Sequence, residues 1–202
     1  MLSANPSRLD SVAVDRFEPG GSEHHSLALA LLLRGLREDR KSVVLDLGPA
    51  IGANVAFFAR YPCKLHIADI YQTLTAQRRE NPGNDESLAR SLKYNLPGGD
   101  GGAFDLVLAW DLLNYLTPAE LQTLGRHLAA LCKPATSLYA LVSTRKQIPD
   151  LPMSYHILDP ESLRYECHSA NGRRSPQYKE PDLNRLLPDF AVETTFLLRN
   201  GM

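Results

Sequence analysis

Hydrophobic and polar positions along the chain fall into blocks that switch between two periods. Val43, Val44, Leu45 and Leu47 form a short apolar run, the pattern of a strand buried on both faces of a parallel sheet. Gly48 and Gly52 bracket the turn after it, and Ile51, Val55 and Phe58 then recur at helical spacing. The same switch repeats downstream. Lys64–Asp69 predicts a strand ending in an acid, followed by a helix from Ile70 to about Arg79. Asn81–Asp85 reads as a turn, Glu86–Leu92 as a short helix, Lys93–Leu96 as a short strand, and Pro97–Gly102 as a glycine-rich loop. Phe104–Trp110 is a central strand and Asp111–Leu116 a loop or helical turn. Thr117-Pro118-Ala119-Glu120 opens a helix that runs to about Cys132, where Pro134 ends it. Ser137–Ser143 is the next buried strand. Beyond Lys146 the periods fade, returning as a helix over Glu180–Leu187 and a strand over Phe190–Leu198. At the other end, residues 1–21 read as a polar arm, and Ser22 caps a leucine-rich helix over about 23–38.

This alternation of strand and helix predicts an α/β fold: a doubly wound, mainly parallel sheet of about six or seven strands with helices on both faces, in three α/β/α layers. The chain has 202 residues, which suits a single α/β domain. Within it, residues 1–40 form an N-terminal arm and helix, 41–145 a ligand-binding core, and 146–202 a variable, substrate-side and C-terminal segment. The formal net charge of −1 makes no call on nucleic acid or an anionic membrane surface. The longest apolar run, Leu27–Leu33, is far shorter than the ~20 residues that span a bilayer. Cys63, Cys132 and Cys167 are scattered without metal-ligand spacing, which points to reduced thiols, no metal and a cytoplasmic location.

In open sheets of this kind ligands bind outside the carboxyl ends of the strands, where the strand order reverses. Three strand ends here carry suitable residues: Gly48 to Gly52, Asp69, and Trp110–Asp111. The pattern Asp46-Leu-Gly48-Pro-Ala50-Ile-Gly52 resembles the glycine motif of the class I S-adenosylmethionine-dependent methyltransferases. Asp69, 21 residues after Gly48, matches the acid which that family places at the end of its second strand. Phe104–Leu116 resembles its fourth strand and the loop behind it. The resemblance covers about residues 41–145. It implies a methyltransferase that binds S-adenosylmethionine through Asp46, Gly48, Pro49, Ala50, Gly52, Asp69, Ile70, Trp110 and Asp111. On this reading Asp69 accepts the ribose hydroxyls, Trp110 lies flat beside the adenine, and Asp46 sits beneath the turn near the amino-acid end of the cofactor. Gly52 lets the following helix pack close to the strand.

Several features depart from the family pattern. Ala50 stands where the middle glycine is usual. Ser91 and Leu92 occupy the region before Leu96-Pro97 where an acid often meets the adenine. The chain stops straight after Phe190–Leu198, so a final antiparallel strand is expected to be missing. That leaves a sheet edge which another segment or a second copy could cover, as in a homodimer. Residues 111–114 read Asp-Leu-Leu-Asn, which gives no support for methylation of DNA bases or protein glutamine. A small-molecule oxygen or nitrogen acceptor is the default, and no residue stands out as the catalytic base. Two alternatives remain at this stage: a non-catalytic binding or assembly protein that keeps the fold, and a nicotinamide-dependent enzyme, since Ala53 lets the turn be read as G-x-A-x-x-A.

Overall fold

Four parallel strands form the centre of the molecule, in the order β3-β2-β4-β5: β2 (Ser42–Asp46), β3 (Cys63–Ile67), β4 (Phe104–Trp110) and β5 (Cys132–Ala140). A computed structural model of the chain describes residues 17–36, 40–80, 85–96 and 104–196. The expectations for the arm up to residue 16, the turn at 81–84 and the loop at 97–103 fall outside these residues. Register is tight at the core. Val44 lies beside Leu65 and Leu106, and Leu45 beside His66 and Val107. Because successive side chains alternate between faces, each strand feeds two cores. Leu45, Leu47, Val107 and Ala109 pack with α3 (Ile70–Glu80), α4 (Asp85–Asn95), α5 (Pro118–Leu131) and α6 (Glu180–Leu186). Val44, Leu106, Leu108 and Trp110 pack on the other side with Leu29 and Leu33 of α1 (Leu27–Leu33) and Phe57 and Phe58 of α2 (Gly52–Phe58).

The three-layer α/β arrangement therefore stands, but its sheet has four strands among the described residues, not six or seven. The missing strands have a physical reason. The chain after β5 turns back as antiparallel ribbons instead of extending the parallel sheet. β1 (Gly20–His25), β8 (Ser162–Cys167) and β7 (Ser154–Asp159) form one such sheet in that order, and β6 (Gln147–Pro149) pairs with β9 (Gly172–Arg174). Tyr155, Ile157 and Leu163 of the first ribbon complete the core over α1 and α2. The strand expected over Phe190–Leu198 is not formed in residues 190–196, which run without regular pairing and leave Val192 exposed. The same pairing overturns the long N-terminal helix. Residues 20–25 are a strand bound to β8, and the helix starts only after Ser26, whose hydroxyl accepts the Leu29 N–H at 3.2 Å.

Two further boundaries moved. α4 continues through Asn95, where a strand over Lys93–Leu96 was expected, because Leu88, Leu92 and Leu96 are all buried at helical spacing. β5 begins at Cys132, immediately after α5, and its pairing carries on past Ala140 in the bond from Leu141 N–H to the Trp110 carbonyl. α5 itself starts with the expected capping box: the Glu120 N–H donates to Thr117 Oγ1 at 3.3 Å and the Thr117 N–H to Glu120 Oε2 at 2.7 Å. Among the described residues no helix is long and apolar enough to cross a membrane.

Candidate active site

The strand order reverses between β2 and β4, so the turns leaving these two strands diverge and open a groove at their carboxyl ends. Asp46, the last residue of β2, is 1% exposed, and its Oδ1 accepts two bonds: from the Gly48 N–H at 2.9 Å and from the Trp110 indole N–H at 2.7 Å. Burial pushes its carboxyl up to about 6, against the pull of these donors. A Cβ on Gly48 would stand 2.9 Å from Trp110 Cδ1, so glycine is required there for the indole to reach Asp46. Trp110 adopts a left-handed backbone (φ 47°), a conformation that costs on the order of 1–3 kcal/mol for a bulky residue. Its ring offsets that cost by being enclosed. It stacks on Tyr155 with centroids 5.3 Å apart and planes 3° from parallel, and meets Tyr139 edge-on at 5.9 Å.

The expected residues separate into two groups. Gly48, Pro49, Asp69, Trp110 and Asp111 line one cavity, together with Leu47, Tyr71, Pro152 and Met153. Asp46, Ala50, Gly52 and Ile70 do not line it. Asp46 lies beneath, as expected. Ala50 and Gly52 are exposed on the turn, and a Cβ on Gly52 would meet nothing within 4 Å. Close helix packing is therefore not what selects glycine at that position. Ile70 is a core residue: its side chain is fully buried and its N–H donates to the Leu47 carbonyl at 3.1 Å. Trp110 also differs from the expected role, because the flat face meant for an adenine is stacked on Tyr155. Asp69 is half-buried just beyond β3. Its Oδ1 accepts the Gln72 N–H at 2.9 Å, which caps the first turn of α3 and orients the carboxylate.

This cavity is shallow and open on one side, with a volume of about 30 Å³. The residue set fits a nucleoside in kind, with a carboxylate for a ribose diol facing a glycine turn. A volume of that size holds only a fragment of one, and Pro152 and Met153 form part of its wall. Their segment is tethered from three sides. The Tyr115 hydroxyl donates to the Leu151 carbonyl at 2.8 Å, the Tyr71 hydroxyl to the Asp150 carbonyl at 3.3 Å, and the Met153 N–H to Asp111 Oδ2 at 3.0 Å.

Asp111 and Met153 form a partition, with a second cavity of about 170 Å³ on its other side. Asn114, Tyr115, Ser143, Arg145 and Tyr165 contribute to its wall. Asn114 is fixed there: its amide donates to the Leu141 carbonyl at 2.8 Å and its Oδ1 accepts the Ser143 N–H at 2.8 Å. Asp111 is 3% exposed, and burial pushes its carboxyl up to about 7, although the Met153 N–H and the Tyr155 hydroxyl both bond to it. Tyr155 and Tyr115 are raised above the ordinary phenol value by burial and by the neighbouring Asp111 carboxylate. Sequence reading had no access to Tyr71, Arg145, Met153 or Tyr155. Tyr155 reaches the site on β7, with Met153 just before that strand; Arg145 comes from the loop after β5, and Tyr71 from the first turn of α3, so no single stretch of sequence holds them together.

No family model and no curated relative matches the chain. Among solved structures, the Burkholderia thailandensis 1,6-didemethyltoxoflavin-N1-methyltransferase, crystallised with 1,6-didemethyltoxoflavin and S-adenosylhomocysteine, is similar at 22% identity and a TM-score of 0.43. The similarity covers 80% of this chain and 64% of that one, so the present chain spans less than two thirds of that protein's length.

Proposed function

We propose that the chain is an S-adenosylmethionine-dependent methyltransferase acting on a small-molecule nitrogen or oxygen acceptor. One observation carries this reading. Gly48, Pro49, Asp69, Trp110 and Asp111, singled out from separate blocks of the sequence, line a single cavity at the switch point of the parallel sheet. On this reading Asp69 holds the ribose and the backbone of the Gly48 turn borders the amino-acid tail. When bound, the cofactor supplies the electrophilic methyl group, and the protein's task is to position an acceptor in line with it. The second cavity, sharing Asp111 and Met153 with the first, is the acceptor's place.

A second reading is favoured by the small 30 Å³ volume beside Pro152 and Met153: a binding module that kept the fold without room for a whole nucleoside. Titration calorimetry with S-adenosylhomocysteine separates these two readings, and a parallel titration with reduced nicotinamide dinucleotide tests the nicotinamide-dependent alternative. Saturable binding of the first ligand alone supports the methyltransferase. Absence of heat with S-adenosylhomocysteine at millimolar concentration overturns it.

A further inference from the structure

The second cavity is electrostatically two-ended. At its inner end lies Asp111, a carboxylate 3% exposed. Among the described residues no lysine, arginine or histidine nitrogen lies within ion-pair distance of it. Its partners are neutral donors, the Met153 N–H and the Tyr155 hydroxyl. A buried carboxylate with no counter-ion is costly unless a cation or a strong N–H donor is brought to it. At the outer end Arg145 is exposed, with its own N–H held at 3.2 Å by the buried Ser143 hydroxyl. The guanidinium of Arg173 lies 5.6 Å from the centroid of the Tyr115 ring, which forms part of the cavity wall. Arg145 and Glu18 are the charged side chains at the rim of this cavity. Between the two ends the wall is mainly aromatic and aliphatic, through Phe17, Tyr115, Ile148 and Tyr165.

We propose that this cavity binds a small amphoteric acceptor, with its nitrogen turned inward to Asp111 and a carboxylate or phosphate turned outward to Arg145. The inference rests on the methyltransferase reading only in calling the ligand an acceptor; the binding preference follows from the cavity itself. Asp111 orients the nitrogen by accepting its N–H, and the guanidinium of Arg145 meets the anionic group at the mouth, where fork-shaped donors suit such anions. At about 170 Å³ the cavity lies below the range of sites for drug-sized ligands, so the occupant is a single-ring or short-chain molecule.

The test uses three probes on one scaffold: 4-(aminomethyl)benzoate, benzylamine and 4-methylbenzoate. Their affinities are read by calorimetry and by the fluorescence of Trp110, the chain's single tryptophan, which borders the partition. The amphoteric probe is expected to bind at least about tenfold more tightly than either half-probe, the worth of one good charged contact. Arg145→Gln should erase its advantage over benzylamine alone, and Asp111→Asn its advantage over 4-methylbenzoate alone. Arg145 is exposed, so its variant keeps the test valid even where Asp111→Asn fails to fold. Equal binding of the amphoteric probe and either half-probe overturns the proposal, as does a preference untouched by Arg145→Gln or the absence of saturable binding of all three at millimolar concentration. A separate titration with S-adenosylhomocysteine distinguishes failure of this inference from failure of the methyltransferase reading.

Discussion

Replacing Asp111 by asparagine should make the protein less sensitive to alkaline pH. The carboxyl is pushed from its ordinary 3.8 up to about 7 by burial. A raised acid value means that the folded state holds the proton more tightly than the unfolded chain. The stability it contributes is therefore fully present below about pH 4 and is lost as pH rises through 7. The gap is about three pKa units, and at about 1.36 kcal/mol per unit the full loss is on the order of 4 kcal/mol. About one unit of that gap is already lost by pH 5, so roughly 3 kcal/mol develops between pH 5 and pH 8. Asparagine has the same shape, still offers an oxygen to the Met153 N–H, and does not titrate. Asp46, raised to about 6, titrates in both proteins and cancels in the comparison. Urea unfolding of both proteins at pH 5 and pH 8 measures the effect. The stability difference should move toward the variant by roughly 3 kcal/mol on going to pH 8. A difference that stays constant, or moves toward the wild type, would refute the claim that burial dominates at this carboxylate.

Two further substitutions test the frame of the groove. Gly48→Ala puts a methyl 2.9 Å from Trp110 Cδ1, so a loss of about 1–3 kcal/mol is expected with a changed Trp110 emission; an unchanged emission and midpoint would contradict the packing described. Thr117→Ala removes the capping-box hydroxyl of α5 and should cost about 1 kcal/mol in urea unfolding, with ligand affinities left as they are.

The parallel core was legible because its signals are local. Val43–Leu47 and Phe104–Trp110 are near-continuous apolar runs, and Thr117 to Glu120 is a capping box whose partners lie within one turn. The antiparallel ribbons were not legible. Gly20–His25 is polar and glycine-rich, and only its pairing with Ser162–Cys167, far along the chain, makes it a strand. The expected last strand shows the converse. Phe190, Val192 and Phe196 alternate well with polar neighbours, yet residues 190–196 find no partner strand among the described residues. The site divides in the same way. The Asp46–Gly48–Asp69 set could be read from spacing, whereas the tethered Asp150–Met153 segment beside it depends on Tyr71 and Tyr115, which no short motif connects to it. Trp110 was found but given the wrong neighbour, because its left-handed backbone sends the indole toward Asp46 and Tyr155.

Calorimetric titration of S-adenosylhomocysteine into the wild type and Asp69→Ala tests whether the groove between the Gly48 turn and Asp69 is a nucleoside site. A nucleoside site gives one saturable site in the wild type, weakened by about tenfold to a hundredfold in the variant, the loss expected when a charged hydrogen-bond acceptor is removed from a diol. Equal affinity in the two proteins, or no binding by the wild type at millimolar ligand, would contradict it.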